Sequence, residues 1–381
     1  MKLLHTSDWH LGMSFRGINI QEDQEYFLQQ IYKVIEEEQI EGILLAGDVF
    51  DRSVASAEAI ALYDRAMTEL CGERKIPVFM VAGNHDGAER LASCNRLLEK
   101  AGLYIKGALS TDLQPIELKD TQIYLLPWFT LEKVRALFPE SAGQIQSLEE
   151  AYAFICEKMR ATFKPDKRHI LVGHAFIIHA ETSVSDRSAE VGYAAAIGTN
   201  PFVGFDYVAL GHLHGPQNIG ENIRYSGTPM PYSFGKEEKQ VKSVTVIDTD
   251  TMKRKIVELE PLHARTTITG TYQQLLHTEE ISERVRKGYV RAELEDVHVG
   301  IEVIGALREV YPNLLEVSGK SFEQEDAKIT MSIEELEAQE QDPLQIIKRY
   351  FQDVMSVSPE EHFMEMFEKA VNDYEKEEVH R

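Results

Sequence analysis

The hydrophobic pattern of the first 250 residues alternates short β-rich apolar runs with longer segments of helical period. Short apolar runs bounded by polar or Gly-bearing turns are typical of buried strands, and their alternation with helices indicates a layered α/β domain. A helix is predicted over Glu22–Gln39, where apolar residues recur at helical spacing. The predicted strands are Lys2–His5, Gly42–Ala46, Pro77–Ala82, Ile123–Leu126, His169–Val172, Tyr207–Leu210 and Val244–Asp248.

The pattern changes after about Glu260. Strands are predicted at Tyr289–Leu294 and Leu314–Val317, and a helix that ends before Pro312 is predicted at Ile301–Tyr311 between them. Acidic segments of helical period follow. We therefore expect three domains, over residues 1–260, 261–330 and 331–381.

The last of these segments contains a strongly amphipathic helix. Ser358 is suited to be its N-cap, Pro359 its first residue and Glu361 the partner that completes a capping box. Such a helix most often packs on its own domain, but its acidic opposite face and the polar linker before it also suit docking to a partner. Its apolar side carries Phe363, Met366, Phe367, Ala370, Val371 and Tyr374.

Composition narrows the class of protein. The chain has 381 residues, of which 43% are hydrophobic, so global disorder is excluded. Cys71, Cys94 and Cys156 lie far apart in the sequence, which argues against a disulfide framework and against a thiolate metal site. No apolar stretch approaches the ~20 residues of a membrane span, and the N-terminal residues do not resemble a secretory signal. We expect a cytoplasmic protein.

The net charge is strongly negative, with 40 Lys and Arg against 63 Asp and Glu, which gives −23. This charge argues against a polyanionic partner, because phosphate backbones are bound by Lys and Arg. However, residues 321–381 hold 6 basic and 17 acidic side chains, so −11 of the total belongs to the last segment. The charge therefore does not exclude DNA, but tight binding by this chain alone is not expected.

Five short motifs follow the predicted strands. A single Asp or His in such a turn is usually structural, but here seven metal-ligating side chains occur where a strand gives way to a loop. Several follow a Gly, which allows the backbone to bend sharply at the sheet edge. The motifs are Asp8-Trp9-His10, Gly47-Asp48-Val49-Phe50-Asp51, Gly83-Asn84-His85-Asp86, Gly173-His174 and Gly211-His212-Leu213-His214.

Carboxylate, amide and imidazole ligands without cysteine suit Mn²⁺, Fe²⁺ or Zn²⁺. Seven ligands are too many for one tetrahedral ion, but they can hold two ions ~3.5–4 Å apart if one carboxylate bridges them. Asp48 is the predicted bridge, because it lies between the other ligand groups in the sequence. The candidate ligands are Asp8, His10, Asp48, Asn84, His174, His212 and His214.

Three further residues of these motifs are candidates for other roles. His85 follows Asn84 and is suited to act as a general acid beside a metal ligand. Asp51 and Asp86 either orient imidazoles or stabilise the turns, and the sequence does not decide between these roles.

Two kinds of neighbouring segment are predicted to be structural. Trp9, Phe15, Arg16 and Tyr232-Ser233-Phe234 flank the motifs and could border a substrate cleft, but they are expected to pack. The mixed-sign segments Asp186-Arg187-Ser188 and Lys236-Glu237-Glu238-Lys239 are predicted to be solvated surface.

The order of these motifs resembles the calcineurin-like metallophosphoesterases. The segments His5–Gly12, Gly47–Asp51 and Ala209–His214 resemble, more narrowly, the SbcD family of bacterial nuclease subunits. The resemblance implies a β-sandwich flanked by helices over residues 1–260, a small α/β capping domain over 261–330 and C-terminal helices for partner docking. It also implies a two-metal DNA nuclease with Mn²⁺ as the favoured ion, acting in DNA repair and recombination.

The resemblance also implies roles for individual residues. One ion is held by Asp8, His10, Asp48 and His214, and the other by Asp48, Asn84, His174 and His212, while His85 is catalytic. Asp51 departs from the archaeal and eukaryotic pattern, which has His there, so no role of a second histidine carries over. The implied partners are DNA, an SbcC-like ATPase of the SMC family bound by the C-terminal helices, and a second copy of the chain.

Two other functions are compatible with parts of the sequence. A stand-alone metallophosphoesterase acting on nucleotides or phosphoproteins shares all the metal ligands, but it leaves the small second module and the amphipathic helix unexplained. A scaffold without catalysis is less compatible with a complete ligand set and with His85 in place.

Overall fold

The computed structural model describes residues 1–178, 180–183, 185–186, 196–277, 282–320, 328–332 and 364. The chain forms two compact units, Met1–Leu262 and His263–Arg381, and each is described by itself. The predicted amphipathic helix that begins after Ser358 lies outside the described residues, apart from Met364. Within the described part of the chain, no helix is both long and apolar enough to span a membrane.

The first unit contains all seven strands predicted for it, with further strands between them. Its strands are β1 (Lys2–Thr6), β2 (Ser14–Phe15), β3 (Ile18–Asn19), β4 (Gly42–Ala46), β5 (Val78–Val81), β6 (Leu103–Lys106), β7 (Ile116–Leu118), β8 (Thr121–Leu126), β9 (Arg168–His174), β10 (Phe176–Ile177), β11 (Ala196–Ile197), β12 (Tyr207–Gly211), β13 (Gln217–Ile219), β14 (Ile223–Tyr225), β15 (Lys242–Asp248) and β16 (Arg254–Leu259). Its helices are α1 (Gln21–Glu38), α2 (Ala57–Met67), α3 (Ala88–Leu91), α4 (Asn95–Leu98), α5 (Leu131–Leu137) and α6 (Leu148–Arg160).

Two six-stranded sheets form the centre of this unit. Their strand orders are β16-β15-β1-β4-β5-β6 and β13-β14-β12-β9-β8-β7, with parallel pairing among β1, β4, β5 and β6 and among β8, β9, β12 and β14. Apolar side chains from both sheets pack together, among them Leu44 and Val81 from the first and Val172 and Ala209 from the second. The predicted β-sandwich is confirmed.

Helices cover the outer faces of the sandwich. Helix α6 begins at the N-cap Ser147, whose side chain forms a reciprocal capping box with Glu150. Its buried face, which includes Tyr152 and Ile155, packs with Leu171 of β9 in one apolar cluster. Helix α1 is amphipathic as predicted and buries Phe27, Leu28, Ile31 and Ile35.

The second unit is a smaller α/β body. Its four-stranded sheet has the order β17 (Arg265–Gly270), β18 (Tyr289–His298), β19 (Leu314–Lys320) and β20 (Lys328–Ser332). Its helices are α7 (Tyr272–Leu276), α8 (Glu283–Lys287) and α9 (Ile301–Val310). The core contains Val290, Leu307 and Val317, so the two predicted strands and the predicted helix pack together.

Candidate metal centre

The site is built from loops at the carboxyl ends of parallel strands in both sheets. The loop after β1 runs alongside the loop after β4, because Asp8 N donates to Gly47 O and His10 N donates to Asp48 O, each at 3.0 Å. Asp8, His10 and Asp48 have φ values of 53°, 44° and 47°, in the left-handed region that residues other than Gly rarely adopt. Such local strain persists only where the surrounding structure holds it, and it concentrates at functional sites.

One half of the site contains Asp8, His10 and His214. The Nε2 atoms of His10 and His214 face each other at 3.1 Å. Asp8 accepts a hydrogen bond from His212 N at 2.9 Å through Oδ1. Among the described residues, neither Asp8 Oδ2 nor His10 Nδ1 has a hydrogen-bond partner, although both atoms are buried. Ligand atoms of these three side chains lie within 4.8 Å of one another.

The other half contains Asp48, Asn84, His174 and His212. His174 Nδ1 donates to the main-chain oxygen of Ala46 at 2.9 Å, so the ring presents Nε2 to the site. That Nε2 lies 3.4 Å from Asp48 Oδ2 and 3.0 Å from Asn84 Oδ1. His212 Nδ1 lies 3.1 Å from the same Asn84 oxygen. Asp8, Asp48 and His174 form a second group of ligand atoms within 4.8 Å.

Two glycines make the close approach of these loops possible. A Cβ at Gly83 would lie 2.1 Å from Asp48 Oδ1, and a Cβ at Gly47 would lie 2.3 Å from His174 Nδ1. Gly47 also has φ +85°, which is strained for any L residue with a side chain. The glycines of the predicted motifs are therefore required by space and, at Gly47, by backbone geometry.

His85 lies at the edge of the cluster and is half-buried. Its backbone N donates to Asp48 Oδ1 and its Nδ1 donates to the main-chain oxygen of Asp51, each at 2.9 Å. The ring contacts His10 edge to face, with centroids 4.9 Å apart. Since Nδ1 donates its hydrogen to a carbonyl oxygen, Nε2 is the ring nitrogen that can interact with a reacting group.

The two remaining acidic candidates, Asp86 and Asp51, have different surroundings. Asp86 accepts from the backbone N atoms of Val49, Phe50 and Gly83, so it stabilises the turns. Asp51 is buried with Oδ1 3.9 Å from His10 Nδ1, and His10, Asp51 and His85 form a third group of ligand atoms.

The electrostatics of the buried cluster favour a cation. Burial raises the pKa of Asp8 to about 6. Burial also opposes ionisation of Asp48, but the neighbouring imidazoles of His174, His10 and His85 together outweigh it and hold the pKa of Asp48 below its usual range. In turn Asp48 raises the pKa of His174 to about 9 against the effect of burial. Burial and the nearby His174 lower the pKa of His212 to about 3. A divalent cation stabilises ionised carboxylates and neutral imidazoles at once, so the donor set fits a metal ion.

Two residues that were predicted to be solvated surface are buried beside His214, so that prediction is wrong for them. Asp186 is 4% exposed and accepts from His214 N at 2.9 Å, and Glu237 is 0% exposed. Glu237 is buried because Lys242, which is 2% exposed, lies 2.9 Å from its Oε2. The contact of these residues with His214 depends on long-range packing that the local sequence does not show.

Aromatic side chains surround the cluster. Trp9, Phe15 and Tyr232 are at most 4% exposed, which confirms that they pack. Arg16 is exposed, so the prediction of packing is wrong for it. Trp128 was not predicted to belong to the site. Its ring is half-buried and stacks on His212, with centroids 5.6 Å apart and planes 14° apart.

With fold and site defined, comparisons with known proteins identify the family. A model described as calcineurin-like phosphoesterase matches residues 1–216. The chain belongs to this family, so it is a hydrolase of phosphate esters that binds divalent metal. A second model, described as type 5 capsule protein repressor C-terminal domain, matches residues 261–355.

Curated relatives narrow the assignment. The chain is 34% identical to the SbcD subunit of the nuclease SbcCD from Staphylococcus epidermidis over 358 residues, which is 93% of both chains. It is 30% identical to the protein of the same name from Staphylococcus saprophyticus over 357 residues, again 93% of both. Within the phosphoesterases, the chain belongs to the SbcD family, which confirms the resemblance seen in the sequence.

A solved structure, described as hypothetical protein PH1004 from Pyrococcus horikoshii, also matches. It is 12% identical with a TM-score of 0.33, and the match covers 68% of this chain and 88% of that one. At this level the match supports no argument about fold or function.

Proposed function

We propose that this chain is a metal-dependent DNA nuclease subunit, which hydrolyses phosphodiester bonds with two divalent ions, Mn²⁺ being the favoured ion. The observation that carries the proposal is that seven candidate ligand side chains from five chain segments lie together, with Asp48 between the two halves. The family membership and the printed name of the relatives support DNA as the substrate.

The two halves of the site suggest how the ions are held. The first ion takes Asp8, His10, Asp48 and His214, and the unpaired Asp8 Oδ2 supports this assignment. The second takes Asp48, Asn84, His174 and His212, whose donor atoms already face one another. Asp48 Oδ2 lies 3.9 Å from His10 Nε2 and 3.4 Å from His174 Nε2, which suits a bridging carboxylate.

Two divalent ions held by these residues would supply a nucleophile from water near neutral pH and would neutralise the charge of the phosphate. The protein supplies the proton for the leaving oxygen. The Nδ1 of His85 donates to the main-chain oxygen of Asp51. A protonated Nε2 can then donate a proton to the leaving oxygen as the phosphodiester bond breaks. His85 is therefore the proposed catalytic acid.

The substrate and partners follow from charge and family. We infer exonuclease action on duplex ends and endonuclease action on hairpins or single strands. Outside residues 321–381 the chain still has more acidic than basic side chains. A nuclease with this negative charge binds DNA weakly by itself. An SbcC-like SMC-family ATPase and a second copy of the chain would provide the additional DNA-binding surface. The name SbcCD of the relatives supports the ATPase partner, and docking by the C-terminal helices is supported by their amphipathic sequence pattern and by the resemblance to the SbcD family.

The test compares substrates. Purified chain with Mn²⁺ is incubated with end-labelled duplex DNA, a DNA hairpin and a small chromogenic phosphodiester, each with and without the ATPase. We expect metal-dependent cleavage of DNA. Cleavage of the small ester with none of DNA, even with the ATPase present, would contradict the nuclease proposal and favour the stand-alone phosphoesterase.

His85→Leu tests the catalytic acid. We expect DNA cleavage to fall by about 100- to 10,000-fold, the range that general acid catalysis contributes, while Mn²⁺ binding by calorimetry is unchanged. His277→Leu, which replaces an exposed histidine of the second unit, is the matched control and should cleave like the wild type. Unchanged cleavage by His85→Leu would remove His85 from the mechanism.

A further inference from the structure

A buried polar network lies behind His214, on the side away from His10. Glu237 is its centre and accepts four hydrogen bonds or ion-pair contacts. Its Oε2 takes Lys242 Nζ at 2.9 Å and Tyr232 N at 3.0 Å, while its Oε1 takes Ser233 Oγ at 2.7 Å and the hydroxyl of Ser185. A carboxylate with this many donors and a buried ammonium beside it is ionised.

Ser185 connects this carboxylate to the imidazole. Its Oγ lies 2.6 Å from His214 Nδ1 and also contacts Glu237 Oε1. A serine hydroxyl has one hydrogen, and an ionised carboxylate can only accept, so that hydrogen is donated to Glu237. The lone pair of Ser185 Oγ then accepts from His214, which places the proton of the neutral ring on Nδ1. Nε2, which faces His10, is therefore unprotonated and carries the free electron pair.

Lys242 fixes the same unit from the other side. Its ammonium donates to the main-chain oxygen of His214 at 2.9 Å, to Thr228 Oγ1 at 2.8 Å and to Glu237. Asp186 holds the backbone N of His214 at 2.9 Å. Lys242 and Asp186 thus hold the backbone of His214, and Glu237 holds its ring through Ser185, although none of these residues belongs to the five sequence motifs.

We propose that Glu237 is a positioning residue, which acts through Ser185 to hold His214 in the tautomer that presents Nε2 to a metal ion. The inference rests on the proposed function, since it takes His214 as a metal ligand. Groups that orient a ligating histidine in this way typically change metal affinity by 10- to 100-fold when they are replaced.

Two variants test the proposal. Ser185→Ala removes the hydroxyl that joins the two groups and leaves the ion pair of Glu237 with Lys242 intact. Glu237→Gln keeps the shape of the side chain but removes its charge. Glu238→Gln, in the same loop, is the matched control. Mn²⁺ titrations by calorimetry give the affinity of each site, and ¹⁵N spectra of histidine-labelled metal-free protein report the tautomer of His214, assigned with a His214→Gln variant.

We expect Ser185→Ala and Glu237→Gln to weaken one Mn²⁺ site by 10- to 100-fold, to leave the other within about threefold, and to shift the His214 tautomer signal. Glu238→Gln should match the wild type. A lower melting temperature with unchanged Mn²⁺ affinity and unchanged tautomer in both variants would overturn the proposal and leave a purely structural role. If the wild type itself bound no Mn²⁺, the proposed function would fail, and the inference with it.

Discussion

The two halves of the proposed metal centre hold their histidines in different ways. His174 is oriented by a main-chain oxygen, that of Ala46, within the parallel sheets. His214 is oriented by side chains, Ser185 and Glu237, which are themselves held by a buried ion pair. The first arrangement follows from the fold, because every parallel strand presents carbonyls at its end. The second depends on particular residues, so substitutions can weaken it without changing the fold.

The residue common to both halves should give the largest effect. Asp48→Asn keeps the size of the side chain but removes the charge that faces His10 and His174. We expect Mn²⁺ binding at both sites to weaken and DNA cleavage to fall by at least about 1,000-fold, since metal ions contribute several kcal/mol to such reactions. Loss of only one site in calorimetry would show that Asp48 does not bridge the halves.

The main-chain half should be sensitive to its glycine. In Gly47→Ala the new Cβ would lie 2.3 Å from His174 Nδ1, at a φ of +85°. We expect the free energy of unfolding to fall by about 1–3 kcal/mol and the affinity of one Mn²⁺ site to fall by at least tenfold. Denaturant unfolding and calorimetry measure the two effects.

Gly143→Ala is the control for that substitution, because a Cβ there meets nothing within 4 Å. The comparison of the halves also predicts that Gly47→Ala and Glu237→Gln weaken different sites. If both variants weakened the same site, the division into two separately held halves would be wrong.

His5 lies in β1, and its ring contacts β12. The loops after these two strands carry candidate ligands of both halves. The Nδ1 of His5 lies 2.9 Å from the hydroxyl of Tyr207, and its Nε2 lies 3.1 Å from the main-chain oxygen of Leu210. Burial, followed by the charge of Arg224, lowers the pKa of His5 to about 3. An unfolded histidine has a pKa of about 6.5, so between these values the unfolded chain binds a proton that the folded chain does not. The contribution of His5 to stability is therefore complete above pH ~6.5 and is lost as the pH falls toward 3.

His5→Gln should reduce this acid sensitivity. We expect the slope of unfolding free energy against pH, measured between pH 6.5 and 5 with urea, to decrease by up to about 1.4 kcal/mol per pH unit. His277→Gln, at an exposed position, is the control and should keep the wild-type slope. An equal slope in His5→Gln would show that His5 is not the buried neutral group.

The smallest effect is expected at Trp128, which stacks on His212 in the main-chain half. Trp128→Leu removes a ring pair worth about 0.5–1.5 kcal/mol. We expect one Mn²⁺ site to weaken by less than about tenfold, with little change at the other. An effect as large as that of Asp48→Asn would show that Trp128 does more than support the ring.

The sequence predicts the main-chain half better than the side-chain half. A buried strand followed by Gly and a ligand is a local pattern, so the positions of Asp48, Asn84 and His174 at the carboxyl ends of their strands can be inferred from the sequence. Glu237 lies in a run of mixed charges that is typical of surface. Its burial depends on Lys242, which begins β15 on the other side of a loop, and no local periodicity reports that contact.

The strands of the fold show the same limit. β1, β4 and β12 are continuous buried runs and are evident in the sequence. β7 and β16 lie at sheet edges and have partly exposed, polar patterns, so their pairing is decided by the neighbouring strand rather than by their own composition.

The measurement that tests the central claim most directly is anomalous diffraction at the manganese edge from crystals soaked in Mn²⁺. Two peaks are predicted, ~3.5–4 Å apart, one between His10 and His214 and one among Asn84, His174 and His212, with Asp48 in contact with both. A single peak, or two peaks that do not share Asp48, would contradict the account.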